Sequence, residues 1–244
     1  MEFIDFYNCC KVTFAANADL PVPTEDQVRK LYELTERMTE VNKKMNLTAI
    51  KEPEAVILKH YADSLMISPF LAEGSMVIDI GCGAGFPTLP LAIFRPDLKI
   101  TAVDSTQKRI DYVNNTAELL NLDNVNAICS RAEDLANNPA YRESFDFATA
   151  RAVAALPVLT ELCLPFVKIG GKFIAMKGQK GELEAAEAAN AIVKCGGELI
   201  KTHSLALYSP NGESEVRIIN EIAKISRTPK EFPRHFSKIS KKPL

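Results

Sequence analysis

The sequence predicts an α/β fold: a mostly parallel sheet of seven strands covered by helices, with a terminal antiparallel hairpin and an N-terminal helical extension. Three observations predict it. From Met76 onward, short apolar runs alternate with helix-compatible segments, the pattern of a parallel sheet covered on both faces. The first run ends in Gly81, Gly83 and Gly85, and Asp104 follows 19 residues after Gly85 at the end of the next run. That arrangement is close to the spacing of about 20 residues in a nucleoside-binding, Rossmann-like βαβ unit. The last two runs follow each other without a helix and are joined by Ser209-Pro-Asn-Gly212, so they pair antiparallel.

The elements follow in order. Thr24-Glu-Asp-Gln27 reads as a capping box, and Val28, Leu31, Leu34, Met38, Val41 and Met45 recur at helical spacing behind it. A second helix is expected from Pro53 to about Phe70, with Pro53 suited to the first turn. Gly74 separates these helices from a strand at Met76–Ile80. Then come a helix at 89–94, a strand at 99–103, a helix at 107–120 and a strand at 125–129. A short helix near Ala132, a strand at 145–149, a helix at 154–167 and a strand at 172–176 follow. A helix at 183–194 and strands at 198–207 and 216–225 complete the pattern. Residues 1–73 form the helical extension, 74–226 the core and 227–244 a basic tail. With no internal repeat and no interdomain linker, one structural domain is expected.

Composition agrees with an ordinary enzyme. A chain of 244 residues, 47% hydrophobic and 25% charged, buries one substantial core. The first twenty residues include Glu2 and Asp5 and lack the pattern of a secretory signal, and no run approaches a membrane span. A cytoplasmic location without membrane contact is expected. The six cysteines show no C-x-x-C spacing, so reduced thiols are expected rather than disulfides or zinc. His60 and Asp63, three apart on one helical face, have no third ligand in view, and no metal is expected. Residues 227–244 carry a net +5 against −2 for the whole chain, which leaves −7 for residues 1–226. A basic tail on an acidic body suits contact with a polyanion, and equally a solvated terminus.

The glycine pattern narrows the cofactor. The dinucleotide fingerprint is G-x-G-x-x-G beneath a pyrophosphate, whereas this chain has G-x-G-x-G preceded by Asp79. A carboxylate there repels pyrophosphate and tolerates an ammonium. S-adenosylmethionine has a ribose, an adenine and an ammonium and lacks a phosphate. A plain glycine turn explains Gly81, Gly83 and Gly85 but not Asp79 and Asp104 together.

Several further motifs share one register. They are Asn46-Leu-Thr-Ala-Ile50, His60-Tyr-Ala-Asp-Ser-Leu65, Asp79-Ile-Gly-Cys-Gly-Ala-Gly-Phe-Pro87, Ser105-Thr-Gln-Lys-Arg109, Arg131-Ala-Glu-Asp134, Thr149-Ala-Arg-Ala152, Lys177-Gly178 and Lys-Lys-Pro-Leu244. Together, over about residues 25–244, they resemble the bacterial 16S ribosomal RNA guanine-N7 methyltransferase family, once called glucose-inhibited division protein B. The resemblance implies a Rossmann-like class I S-adenosylmethionine-dependent methyltransferase, active on 16S ribosomal RNA or the small ribosomal subunit; a monomer is expected. It places cofactor contacts on Gly81, Phe86, Ala132, Glu133 and Arg151, beside the Asp79, Gly83 and Asp104 of the glycine turn. Arg151 suits either the cofactor carboxylate or the target guanine and its phosphate. His60, Asp63, Arg109, Lys177, Arg234 and Lys241 are candidates for the RNA side. Two positions depart from the family pattern: Thr88 stands where glycine is usual, and His235-Phe-Ser237 replaces a glycine-containing turn in the tail.

The expected chemistry needs no general base, and no catalytic residue is assigned, because guanine N7 carries an in-plane lone pair at neutral pH. An amino-group methyltransferase would carry Asn/Asp-Pro-Pro-aromatic where this chain has Thr149-Ala-Arg-Ala152, and Cys163 is badly placed for a cysteine nucleophile. A small-molecule methyltransferase and a non-catalytic RNA-binding module are the alternatives. Removing residues 232–244 is expected to weaken RNA binding and leave cofactor affinity intact.

Overall fold

The computed structural model describes residues 1–244. Two helices open the chain, α1 (Phe3–Ala15) and α2 (Glu25–Met45). Gln27 N–H donates to Thr24 Oγ1 and Thr24 N–H to Gln27 Oε1, closing the capping box, and Val28, Leu31, Leu34 and Met38 are buried. α1 lies in a stretch where no element was expected. It starts without a side-chain cap, and its only local signal is the spacing of Phe6, Cys10 and Phe14, all buried. Tertiary packing holds it: Phe14 stacks on Phe94 with ring centroids 5.6 Å apart.

The second helical stretch changes type along its length. α3 (Pro53–Val56) passes into a π-helical turn at Ile57–Ala62, then α4 (Asp63–Leu65) and a 3-10 turn at Ser68–Phe70. Wide turns of this kind concentrate at functional sites, and this one carries His60.

The core runs through β1 (Met76–Ile80), α5 (Thr88–Phe94), β2 (Lys99–Asp104), α6 (Gln107–Leu119), β3 (Val125–Cys129), α7 (Ala132–Leu135) and β4 (Phe145–Arg151). It continues through α8 (Leu156–Cys163), β5 (Val167–Lys177), α9 (Gly181–Glu187), α10 (Ala189–Lys194), β6 (Gly197–Tyr208) and β7 (Ser214–Lys224), and ends in α11 (Phe236–Lys241). The seven strands lie in the order β3-β2-β1-β4-β5-β7-β6. The first five pair in parallel, and β7 enters antiparallel between β5 and β6. Alternate residues of β1 face opposite cores: Val77 joins the cluster under α1, α2, α5 and α6, and Ile78 the one under α8 and α10.

The chain leaves β1 toward β2 on one side, while β4 lies on the other. A crevice opens at such a switch point beyond the carboxyl ends of the strands.

Most boundaries differ from expectation by a residue or two, and three differences have a clear physical cause. Val167, expected to end a helix, begins β5, because Pro165 turns the chain in a 3-10 turn and the strand then shifts register near Gly171. A Cβ on Gly171 would stand 2.4 Å from Asp146 O. The helix expected at 183–194 is two, α9 and α10, meeting at Ala188. β4 runs two residues past Thr149 and carries Arg151 to its carboxyl end.

Candidate active site

A cavity of about 450 Å3 opens at the carboxyl ends of β1, β2, β3 and β4. Its floor is the glycine turn, where Gly81 N–H and Cys82 N–H both donate to Val103 O (2.8 and 3.0 Å) and clamp β1 to β2. Gly81 has φ +76°, and a Cβ there would come within 2.5 Å of Val153. Gly85, at φ +84°, would collide with Leu89 at the same distance. Both positions therefore require glycine for conformation and for space.

Two carboxylates mark the turn. Asp79 is 1% exposed. Its Oδ2 accepts from Thr88 Oγ1 at 2.6 Å, while Oδ1 is buried with no hydrogen-bond partner. Burial, opposed by the Thr88 hydrogen bond, pushes this carboxyl up to about 6. Thr88, the departure from the family's glycine, is thus the group that holds Asp79. Asp104 instead lines the cavity. Its Oδ1 accepts from Thr106 N–H (2.9 Å), and its Oδ2 from Gly83 N–H (3.1 Å) and Arg109 Nη1 (3.3 Å). Arg109 is 45% exposed, and a change of its rotamer would release an acceptor site on Asp104.

The opposite wall is aromatic and cationic. His60 stacks on Phe86 (4.4 Å between centroids, 10° between planes), and the Arg151 guanidinium lies 5.4 Å from the same ring. Burial first, and then Arg151, lower the His60 pKa to about 4. Nδ1 faces Arg151 Nη2 at 3.4 Å, and arginine cannot accept. The neutral tautomer that satisfies both contacts carries its proton on Nε2 and donates to Thr48 Oγ1, 2.9 Å away. Arg151 Nη1 also donates to Asp63 Oδ2 (2.6 Å) and Lys59 O (3.0 Å). The residue after it, Ala152, has φ +56°, a strained conformation for a side-chain-bearing residue.

A second cavity of about 280 Å3 shares Arg151 and Ala152 with the first. Asp63 lines it and accepts from Arg217 Nε at 2.5 Å as well as from Arg151. Lys177 lies on its wall, with Nζ donating to Ala154 O and Glu184 (2.7 Å each).

At the β3 end, Ala132 and Glu133 line the first cavity together with Arg131 and Phe236. Glu133 is buried, and its Oε1 accepts from Phe236 N–H at 3.3 Å. Arg234 holds the fully buried Glu161 through Nε (2.8 Å), Nη2 (2.6 Å) and its backbone N–H (2.8 Å). The basic tail is therefore docked against α8, with Lys241 exposed at the end of α11.

Gly81, Gly83, Phe86, Asp104, Ala132, Glu133, Arg151, His60 and Arg109 thus surround one cavity, and Asp79 lies buried in the strand beneath it. Asp63 and Lys177 belong to the neighbouring cavity, and Arg234 to the tail's anchor. Sequence reasoning passed over Arg217, Glu161 and Phe236. Arg217 carried a signal, a cation between Val216 and Ile218 in a strand. Glu161, in an otherwise apolar helix, carried another.

The family model described as rRNA small subunit methyltransferase G matches residues 27–210. The ribosomal RNA small subunit methyltransferase G of Lactobacillus delbrueckii subsp. bulgaricus is 42% identical over 228 residues, covering 91% of this chain and 92% of that protein. Its namesake in Streptococcus pyogenes serotype M12 is 47% identical over 210 residues, covering 85% and 87%. Among solved structures, an O-methyltransferase from Bacillus cereus in complex with SAH shares the fold. Its TM-score is 0.56 at 18% identity, over 91% of this chain and 100% of that one.

Proposed function

The chain belongs to the rRNA small subunit methyltransferase G family, and on that premise we propose that it methylates N7 of a guanine in 16S ribosomal RNA from S-adenosylmethionine. The observation that carries this reading is the pair of carboxylates at adjacent strand ends. Asp79, buried beneath the cavity with one oxygen unpartnered, places negative charge under an ammonium, and Asp104 lines the cavity where a ribose would bind. The cavity's donor and acceptor set thus fits an amino-acid nucleoside.

In this reading Asp79 attracts the ammonium from beneath the cavity, Asp104 takes the ribose hydroxyls, and Ala132 with Glu133 the adenine edge. When bound, the sulfonium supplies a methyl carbon open to in-line attack. The protein's task is alignment: Phe86 and His60 form a flat wall, and Arg151 sits between the two cavities. Guanine N7 needs no deprotonation, and His60, neutral with its proton on Nε2, is not called upon as a base. Orientation of two reactants accounts for about 7–11 kcal/mol in favourable cases. Arg151 and the groups of the second cavity are suited to guanine O6 or a phosphate. A donor aimed at N7 itself would stop the reaction. The place of such a reaction is the cytoplasm, on the small-subunit RNA.

The test is transfer of labelled methyl from S-adenosylmethionine to small subunits lacking the modification, followed by nucleoside analysis. Label in 7-methylguanosine is expected. Label in another nucleoside would discard the N7 assignment, and no transfer to RNA in any form would discard the substrate.

A further inference from the structure

Phe236 stands in the tail segment that departs from the family's glycine-containing turn, yet it lines the same cavity as Asp104 and Glu133 and also packs against the core under α8. The tail's position there is over-determined. Arg142 donates to the carbonyls of Thr228, Pro229 and Phe232. Arg234 then grips buried Glu161 through three hydrogen bonds, and Ile239, fully buried, plugs the other end. Phe236 lies between these two fixed points, with its N–H bonded to Glu133 at 3.3 Å. Its ring is only half-buried and has the Arg131 guanidinium 6.0 Å away.

Sheet order says which end of the cavity this is. Asp79 is on β1, Asp104 at the end of β2, and Arg131–Glu133 follow β3, the next strand outward. Strands lie about 4.8 Å apart, so a ligand with its ammonium over β1 and ribose over β2 extends its base toward β3. We propose that Phe236, delivered by the C-terminal tail, is the aromatic wall of the adenine subsite, so that cofactor affinity depends on the docked tail. This rests on the reading of the cavity as an S-adenosylmethionine site. It replaces the expectation that the tail serves RNA alone.

The chain has no tryptophan, which makes Phe236→Trp a unique reporter. Titration of this variant with S-adenosylhomocysteine should change the tryptophan emission saturably, while methionine, which lacks the base, should leave it unmoved. In parallel, calorimetry on Phe236→Ala should show S-adenosylhomocysteine binding weakened about tenfold, the lower part of the range for an aromatic–base stack. If the unaltered chain and Phe236→Ala bind equally and the tryptophan signal stays constant through saturation, the proposal is overturned while the cofactor reading stands. If the unaltered chain itself binds no S-adenosylhomocysteine, the cofactor reading falls and this proposal with it.

Discussion

Asp79 and Asp104 are the same residue type near the ends of neighbouring strands, yet position separates their tasks: Asp104 lines the cavity and Asp79 lies beneath it. For Asp104, alanine substitution removes charge-assisted hydrogen bonds worth about 1.5–3 kcal/mol, and S-adenosylhomocysteine binding should weaken roughly ten- to hundredfold by calorimetry. Unchanged affinity would remove Asp104 from the site. Asp79 titrates near 6 in the fold and near 3.8 when exposed. The folded chain thus holds an extra proton between those values, and this group's contribution to stability is lost as pH rises through about 6. A nearby ammonium favours the ionised form, so cofactor binding at pH 6 should release up to about half a proton per site. Calorimetry in two buffers of different ionisation enthalpy reads this directly, and Asp79→Asn should abolish the difference. His60 has the opposite sign. Its pKa falls from 6.5 to about 4, so the unfolded chain takes up the proton first, and stability present above 6.5 is lost as pH falls toward 4.

At the level of elements, a chain of charges ties the π-helical turn and α4 to the sheet. Lys59 binds Glu215, Glu215 and Asp63 both bind Arg217, and Asp63 also binds Arg151. Asp63 is buried while Lys59 is 41% exposed, and this contrast sets the energies. Asp63→Asn leaves Arg151 without its counter-ion and Arg217 with Glu215 alone, at a cost of about 2 kcal/mol or more, and should lower Tm by roughly 5 °C in a chain of this size. Lys59→Ala should lower Tm by no more than roughly 2–4 °C, since exposed pairs contribute less than about 1 kcal/mol. Equal losses would show that burial does not govern this network. The strands and the capped α2 were legible because period and caps are local. α1 and the π-turn were not, because each is held by contacts made elsewhere. Val167 was assigned to a helix because the register shift at Gly171 that lets β5 start there depends on the neighbouring β4.

For the whole molecule, the sign of charge and its placement matter together. The body carries −7 and the tail +5, and the tail docks at the rim of the cavity, with Lys238, Lys241 and Lys242 exposed. Such a layout would draw a polyanion to one face of an otherwise repelling surface. Replacing those three lysines by glutamine should flatten the salt dependence of RNA binding by about 0.7–0.9 log units per lost phosphate contact, with Tm and cofactor affinity unchanged. An unaltered slope would make the tail a bystander to RNA. The sequence by itself determined the sheet class, the glycine turn, both strand-end acids and the family, because these depend on short-range spacing and on residue types that few other roles require. Only the tertiary structure decided that Thr88 holds Asp79, that Arg217 and Arg151 share Asp63, and that Phe236 reaches the cavity. Those partners are separated by 9, 88, 154 and 103 residues. Chain spacing carries no record of pairs that meet only when the sheet has closed and the tail has folded back upon it.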